Sequence, residues 1–347
     1  MRTDRESRVF QRYYNNYWAS GYNIDNFYAS LTPDGVRFGG IWFFDGVPDD
    51  GTLYRRVRKV VDGAPALGGA AVLNLTTGEE FSIHGNQTSA FASTGKLGIF
   101  FALLREIDLG NVAWTEFINS NTSTGANQCG YLQPNTEYRV DRLAGFMIRC
   151  SNNWATNILI NHLTVNTINN HLADPITLDL QVTRIHRYML GGPSLYGNGS
   201  ASGDRAAGYE NLSTPREMVE LLRKVLQDNV LSDEGENRFW TTLRLDPDVS
   251  PNDKPYIAQQ VTPMFSPRID VYNKPGDLTS PAVSRHVHAD AGRLTFPDGQ
   301  EVLVAIFMDY ISDDPDDLLQ TTGAAQSQAQ QAIRDVAREV AEQYYPY

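Results

Sequence analysis

The order of apolar and polar positions along the 347-residue chain changes several times and predicts segments of different structure. Residues 1–50 mix aromatic, Asn and Gly residues with short extended runs between turn signals, which predicts a small β-rich N-terminal appendage. Beyond it, apolar positions first follow a helical and then a strand period, which predicts a helix at 53–62 and strands at 69–75 and 80–83. Helical spacing then dominates, and the helices it predicts cover residues 94–107, 140–149, 153–163 and 215–228.

Strand patterns return towards the end of the chain. A Pro- and Asp-rich stretch at 246–268 is predicted to be a loop, and the strands predicted after it cover 269–273, 291–296 and 301–307. A long amphipathic helix at roughly 323–344 ends the pattern and can cover the sheet. The order predicts an α+β fold in which an all-helical lobe, about 93–267, is inserted between α/β parts at 51–92 and 268–347.

The charge of the chain limits its partners. The formal net charge is −12, and nucleic-acid binding needs clustered positive charge, so we expect no nucleic-acid partner. The basic run Arg55–Lys59 is interpreted as the solvated face of the helix at 53–62, which would bury Leu53, Val57, Val60 and Val61. No apolar run reaches the roughly 18 residues of a membrane helix, so no membrane span is expected.

Cysteine and histidine residues indicate neither a metal site nor a cofactor. Cys129 and Cys150 permit one disulfide, which we expect if the protein is exported. The polar first residues do not form a secretion signal, and we favour export with the signal removed over a cytoplasmic protein. His286 and His288 lie two apart, a spacing that would place both on one face of a strand, where we expect an exposed surface rather than a metal site.

The strongest candidate for chemistry is the stretch FASTGKLGIFFALL at 91–104. A serine hydroxyl needs a neighbouring base to act as a nucleophile, and Lys96 lies three residues after Ser93 on the same predicted helix face. Apolar neighbours can desolvate the amine, which lowers the pKa of a lysine towards values at which it accepts a proton. Alone, the spacing is a short pattern that an ordinary buried helix also contains.

Two later groups change that interpretation. Ser151-Asn152-Asn153 lies at the junction of two predicted helices, and Lys274-Pro275-Gly276 ends a predicted strand. With Ser93 and Lys96 they resemble the S-x-x-K, S-D-N and K-T-G motifs of class A β-lactamases and penicillin-binding proteins. Five supporting stretches occur in the family's order: Met147-Ile148, Ala155-Thr156-Asn157, VTRIHRYM at 182–189, STPREMVELL at 213–222 and FPDGQ at 296–300. The resemblance covers about residue 50 to the end and implies the β-lactamase/transpeptidase fold, an antiparallel sheet flanked by helices.

The resemblance also implies roles for the matching residues. Ser93 would be the acylated nucleophile and Lys96 its base, while Ser151 would relay a proton to the leaving group with Lys274 beside it. On the substrate-binding side, the resemblance assigns Asn153, Gly276 and Asp277. Asn153 would bind an amide of the substrate, and the backbone N–H groups of Ser93 and Asp277 would form an oxyanion hole.

Three departures from the family pattern bear on function. Met189 stands where class A β-lactamases carry the glutamate that activates the deacylating water, and a thioether cannot take a proton. Pro275 replaces a threonine, which removes a hydroxyl that would contact a substrate carboxylate. Asn152 replaces an aspartate, and either side chain can hydrogen-bond locally. Glu210, in the Gly- and Ser-rich loop 187–215, is an alternative activator of water.

The sequence therefore predicts a serine hydrolase that forms an acyl-enzyme on an ester, amide or peptide substrate, with weak or no β-lactamase turnover. The alternatives are a penicillin-binding or sensor-type protein that is acylated without turnover, and a genuine β-lactamase with another deacylating base. The aromatic stretch at 10–46 further resembles repeats that precede the hydrolase domain of polyglycine hydrolases, which would favour a peptide or protein substrate. The alternative is that this stretch packs on the hydrolase core as an extra β element. A small-molecule or peptide substrate is the only partner that the sequence indicates.

Overall fold

The architecture was analysed in a computed structural model of the chain. It describes residues 22–32, 35–44, 51–64, 66–120, 127, 129, 132–186, 188–189, 211–244, 256–280, 285–311 and 324–346.

A five-stranded antiparallel sheet forms the centre of the fold. Its strands are β3 (Leu67–Asn74), β4 (Glu80–Ile83), β9 (Asp270–Ser280), β10 (Arg285–Thr295) and β11 (Glu301–Ile311). They lie in the order β4-β3-β11-β10-β9, which places β9 at one edge as far as the described residues extend. Three short two-stranded sheets pair β1 (Tyr22–Thr32) with β2 (Gly35–Phe44), β5 (Ser89–Ala90) with β8 (Leu212–Ser213), and β6 (Phe117–Asn119) with β7 (Glu137–Arg139).

Helices cover both faces of the large sheet. The described helices are α1 (Leu53–Gly63), α2 (Lys96–Asp108), α3 (Val140–Arg149), α4 (Asn153–Leu163), α5 (Val165–Ala173), α6 (Pro215–Gln227), α7 (Asp233–Leu243), α8 (Tyr256–Val261) and α9 (Ala324–Tyr344). One apolar core joins the sheet to α1, α8 and α9, and a second joins its other face to α2–α7. Burial of these apolar faces is the main force that holds the sheet between two helical layers.

Several predicted elements are confirmed, with shifts of a residue or two at their ends. The helices predicted at 140–149 and 153–163 coincide with α3 and α4, and the terminal helix is α9. Other predictions are wrong in detail. The stretch 246–268, predicted to be a loop, contains helix α8. Strands β9 and β10 are longer than the predicted 269–273 and 291–296, so the K-P-G motif lies within β9 rather than at the end of a strand. Helix α1 buries Leu53, Val57 and Val61 as predicted, but Val60 only partly. Arg56 is half-buried and pairs with Glu339 of α9 at 2.7 Å, so this part of α1 is bound to its neighbour.

The N-terminal part contains the hairpin of β1 and β2, in keeping with its predicted β-rich character. The boundary of the predicted appendage at residue 50 lies outside the described residues and stays a prediction. No helix in the described part of the chain is both long and apolar enough to span a membrane.

Candidate active site

The turn that carries Ser93 joins the sheet region to helix α2. Ser93 lies in a single 3₁₀ turn, Ala92–Gly95, and α2 begins at Lys96, two residues later than predicted. Ala92 has a φ of 45°, a left-handed conformation that is costly for a residue with a Cβ. Such backbone strain concentrates at functional sites, where the surrounding structure enforces it. The strain is therefore consistent with a turn built to present Ser93.

The amine of Lys96 is buried among four oxygen atoms. Its Nζ lies 2.8 Å from Ser93 Oγ, 2.8 Å from the Ser151 carbonyl oxygen, 3.1 Å from Ser151 Oγ and 2.7 Å from Asn153 Oδ1. A neutral amine has two N–H donors and one lone pair. In the neutral form, the carbonyl of Ser151 and the amide oxygen of Asn153 can accept the two N–H bonds, which leaves the lone pair to accept the hydroxyl hydrogen of Ser93.

The electrostatic surroundings favour this neutral form. Lys96 is fully buried, and burial lowers its pKa well below the usual value because a buried ammonium loses its hydration. The positive charge of Lys274 lowers the pKa of Lys96 further. The apolar residues next to Lys96 in the sequence predicted that its amine is desolvated, and the structure confirms this. An amine in this state can take the proton of Ser93 as the serine attacks a carbonyl carbon.

Ser151 lies between the two lysines. Its Oγ is 3.1 Å from Lys96 Nζ and accepts a hydrogen bond from Lys274 Nζ at 3.0 Å. Lys274 is also buried, and its ammonium donates to the Pro275 carbonyl oxygen at 2.8 Å. Burial lowers the pKa of Lys274 to about 8, although the carboxylates of Asp290 and Asp277 act in the opposite direction. The hydroxyl of Ser151 can therefore carry a proton between an amine and a leaving group.

Hydrogen bonds and a disulfide hold the segment Ser151-Asn152-Asn153 in place. Ser151 itself has a left-handed φ of 52°. The Asn152 side chain caps α4 by accepting the Ala155 N–H at 2.8 Å, and its Nδ2 donates to Asn127 Oδ1 at 3.0 Å. A disulfide joins Cys150 to Cys129, so the pairing that the cysteine count allowed is present. The local hydrogen bonding expected of Asn152 is confirmed, and its amide also supplies a donor that an aspartate lacks.

Strand β9 approaches the turn Ala92–Gly95 very closely at Gly276. This turn is called the nucleophile turn below, after the role predicted for Ser93. A Cβ added to Gly276 would lie 2.6 Å from the Phe91 carbonyl oxygen and 2.7 Å from the Thr94 backbone nitrogen, so only glycine fits. Thr94 Oγ1 also donates to the Lys274 carbonyl oxygen at 3.2 Å. These contacts bring Asp277, the next residue on β9, to the rim of the site.

The Asp277 side chain belongs to a cluster that the sequence did not reveal. Its carboxylate accepts hydrogen bonds from the hydroxyl of Tyr256, on α8, and from His288 Nδ1 at 2.5 Å. His288 faces Asp277 across the β9–β10 pair and is fully buried, so the expectation of an exposed histidine surface is wrong for this residue. Partial burial would raise the pKa of Asp277, but the two hydrogen bonds outweigh it, and the pKa is lowered.

Met189 is buried beside α4, where the sequence alignment placed the deacylating residue. The side chain of Asn157 holds its backbone on both sides, accepting the Met189 N–H at 2.8 Å and donating to its carbonyl oxygen at 3.1 Å. Asn157 lies one helical turn after Asn153, so Met189 adjoins the face of α4 that contacts Lys96. No role was predicted for Asn157, because a single sequence carries no signal for these two hydrogen bonds to the Met189 backbone. Glu210, the alternative base, lies outside the described residues.

The segment before Met189 depends on Glu217. Thr214 caps α6 by accepting the Glu217 N–H at 3.1 Å. The carboxylate of Glu217 accepts N–H bonds from a neighbouring segment, namely from Gln181, Val182 and Thr183 at 2.8, 2.8 and 2.6 Å. The glutamate therefore fixes the chain that leads to Met189.

Solved structures with a similar fold include penicillin-binding and beta-lactamase proteins. PBP-A is 23% identical, with a TM-score of 0.64 over 86% of this chain and 97% of that chain. A beta-lactamase from Sphaerobacter thermophilus DSM 20745 is 23% identical, with a TM-score of 0.64 over 84% of this chain and 96% of that chain. A beta-lactamase from Chitinophaga pinensis DSM 2588 is 16% identical, with a TM-score of 0.63 over 84% of this chain and 98% of that chain.

These likenesses show that the chain has the β-lactamase/transpeptidase-like fold predicted from the motifs. No curated protein sequence matches the chain. The sequence profile of the beta-lactamase enzyme family matches residues 52–344 and leaves out the N-terminal stretch, whose resemblance to polyglycine hydrolases stays a prediction. The chain therefore belongs to the beta-lactamase enzyme family.

Proposed function

We propose that the protein is a serine hydrolase that forms an acyl-enzyme on Ser93. The observation that carries the proposal is the 2.8 Å contact between Ser93 Oγ and the buried amine of Lys96, whose pKa is lowered by burial. A partly exposed hydroxyl beside a neutral, buried amine is the arrangement that activates a serine nucleophile.

The reaction uses the surrounding groups in order. Lys96 takes the hydroxyl proton as Ser93 Oγ bonds to the substrate carbonyl carbon, and the backbone N–H groups of Ser93 and Asp277 stabilise the oxyanion. The tetrahedral intermediate then collapses as the bond to the leaving group breaks. Ser151 gives its proton to the leaving group and recovers one from Lys96, while the Lys274 ammonium supports the Ser151 oxygen.

The substrate that fits best is an ester, amide or peptide rather than a β-lactam that must be turned over quickly. Asn153 can bind an amide of the acyl part, although its Oδ1 also accepts from Lys96. Pro275 offers no hydroxyl for a substrate carboxylate. Met189 offers no base for the water that must hydrolyse the acyl-enzyme. For a small ester the alcohol departs, and water can enter from the vacated side with Lys96 or Ser151 as proton acceptor.

The buried thioether of Met189 favours one second candidate. A protein that is acylated by penicillins and stays acylated needs the same nucleophile and lysines but no deacylating base. A variant of the fold relative PBP-A has been solved as an acyl-enzyme complex with penicillin G. Turnover separates this candidate from the hydrolase.

The test is an assay of p-nitrophenyl esters, small peptides and chromogenic cephalosporins, read as product release and as the intact mass of the protein. We expect turnover of esters or peptides by the wild type, and its loss in both Ser93→Ala and Lys96→Ala because nucleophile and base act as a unit. Ser82→Ala, on β4, is the control and should retain activity. Activity that survives in Ser93→Ala would refute the mechanism, and stable acylation without turnover would favour the second candidate.

A further inference from the structure

The Asp277 carboxylate occupies a distinctive position at the rim of the site. It lies on β9, the edge strand of the described sheet, directly after the glycine that contacts the nucleophile turn. Its side chain is 54% exposed, so it can reach a bound molecule. The backbone N–H of the same residue is proposed for the oxyanion hole, so its carboxylate lies within about two residues' length of strand, roughly 7 Å, of the reacting carbonyl.

The same face of β9 carries Pro275. Side chains two apart on a strand share a face, so Pro275 and Asp277 border the same region of the cleft. Relatives of this enzyme contact a substrate carboxylate with a hydroxyl at the position of Pro275, according to the sequence resemblance. Here that region has lost a neutral hydrogen-bond donor, and a carboxylate lies beside it.

The carboxylate is held rigidly and retains its charge. His288 Nδ1 and the hydroxyl of Tyr256 both donate to it. Among the described residues, the other ring nitrogen of His288, Nε2, is buried and has no hydrogen-bond partner. A buried N–H without an acceptor is costly, so Nδ1 carries the hydrogen that His288 donates to Asp277. The two hydrogen bonds favour the charged form of the Asp277 carboxylate, which therefore carries a negative charge.

The described cations near the cluster do not cancel this charge at the rim. The Lys274 ammonium bonds to Ser151 and the Pro275 carbonyl oxygen. Arg334 lies over the ring of Tyr256, 5.4 Å from its centre, and donates to Gln259 Oε1 at 2.9 Å. The remaining acid, Asp290, is fully buried and accepts bonds from Asn273 and the Ile257 N–H. A charged group of the substrate would therefore meet the Asp277 carboxylate first.

We propose that Asp277 is a specificity-determining residue that selects substrates whose leaving group carries an ammonium group and disfavours those that carry a carboxylate. This inference rests on the proposed serine hydrolase function. An ammonium on the leaving group pairs with the Asp277 carboxylate while the ester or amide carbonyl lies against Ser93. A carboxylate at the same position is repelled by Asp277 and finds no hydroxyl at Pro275. Lys274 remains free to support Ser151.

The test compares three thioesters with one acyl group and leaving thiols of similar size: thiocholine, its uncharged tert-butyl isostere and a mercapto-carboxylate. Thiol release gives kcat/KM, and intact mass reports acylation of Ser93. We expect the wild type to prefer the ammonium over the carboxylate substrate at least about tenfold, as expected for unit charges a few ångströms apart at a solvated rim. In Asp277→Asn this ratio should fall to within about threefold of one.

The ratio is the readout because any general loss of activity in the variant cancels. Asp270→Asn is the matched control, since Asp270 lies on the same strand, is half-exposed and pairs with Arg244 away from the cluster. It should retain the wild-type ratio. Turnover of the uncharged thioester with no charge preference in the wild type, or with a preference unchanged in Asp277→Asn, would overturn this inference alone. Neither thiol release nor a Ser93 adduct with any thioester would overturn the proposed function as well.

Discussion

Removal of the Lys274 charge should shift the pH dependence of Ser93 acylation. Both lysine amines contact the same oxygen, Ser151 Oγ, at 3.1 and 3.0 Å, so they lie no more than about 6 Å apart. The charge of Lys274 is the second cause, after burial, of the lowered pKa of Lys96. In Lys274→Met that charge is absent and the pKa of Lys96 rises. Because Lys96 acts as a base when neutral, the variant should be slow at neutral pH and recover as pH rises.

The expected size follows from the separation of the amines. Two unit charges about 6 Å apart interact by about 3 kcal/mol at an effective dielectric constant of about 20. Lys274 is itself partly neutral near pH 8, because its pKa is about 8, so the full interaction is not present throughout the titration. We therefore expect the acidic limb of log(kcat/KM) to move up by about one to two pH units. The wild type should also lose activity above about pH 8 as Lys274 deprotonates, and Lys274→Met should lack this basic limb.

The assay is p-nitrophenol release between about pH 5 and pH 10, followed at the wavelength where phenol and phenolate absorb equally. Lys274→Arg is the matched control, because it retains a positive charge at the same position. Its acidic limb should stay within about half a pH unit of the wild type, whatever its absolute rate. An acidic limb that does not move in Lys274→Met would refute the electrostatic coupling of the two lysines. An acidic limb that moves to lower pH would refute the assignment of Lys96 as base.

The remaining predictions concern deacylation, the glycine contact and the disulfide. A reactive β-lactam should leave a mass adduct on Ser93, and Met189→Glu should shorten its lifetime by about 10²-fold or more while Met189→Gln does not; equal lifetimes would show that a base at this position is irrelevant. Gly276→Ala should slow ester turnover at least about tenfold, because the added Cβ would clash with the nucleophile turn. Gly145→Ala is the control and should leave turnover intact, because a Cβ at Gly145 meets no atom within 4 Å. Replacing both Cys129 and Cys150 by serine should lower the free energy of unfolding by about 3 kcal/mol, since the disulfide spans 21 residues, and denaturant titration would show whether it does.

Those parts of the fold whose signals are local could be predicted from the sequence. The helices at 140–149 and 153–163 show clear helical periods, and Asn152 caps the second. Helix α8, by contrast, has six residues and is too short to be stable by itself. It forms because Ile257 and Val261 are buried in the core that α9 and the sheet also line. That packing depends on residues far away in the sequence, so the stretch was predicted to be a loop.

The candidate site likewise has one part that local sequence motifs predict and another part that they do not. Ser93, Lys96, Ser151 and Lys274 belong to short motifs, and the structure brings all four together. The cluster of Asp277 with Tyr256 and His288 has no such motif, because it joins α8, β9 and β10. His288 was predicted to be exposed because two histidines on one face of a strand more often mark an exposed surface than a metal site. The strand is instead an inner one, between β9 and β11, and helices cover both faces of the sheet.

In the proposed mechanism the two lysines of the site hold different charges, although both are buried. Burial alone would favour the neutral form of each. Only Lys274 is also influenced by carboxylates, those of Asp290 and Asp277, which raise its pKa against the effect of burial. Asp290, which faces Pro275 from β10, is fully buried. Burial raises its pKa to about 7, and bonds from the Ile257 N–H and Asn273 Nδ2 favour its charged form. The carboxylates therefore separate the pKa values of the two amines. Lys274 keeps its proton near neutral pH, and its charge in turn helps to keep Lys96 neutral and able to act as a base.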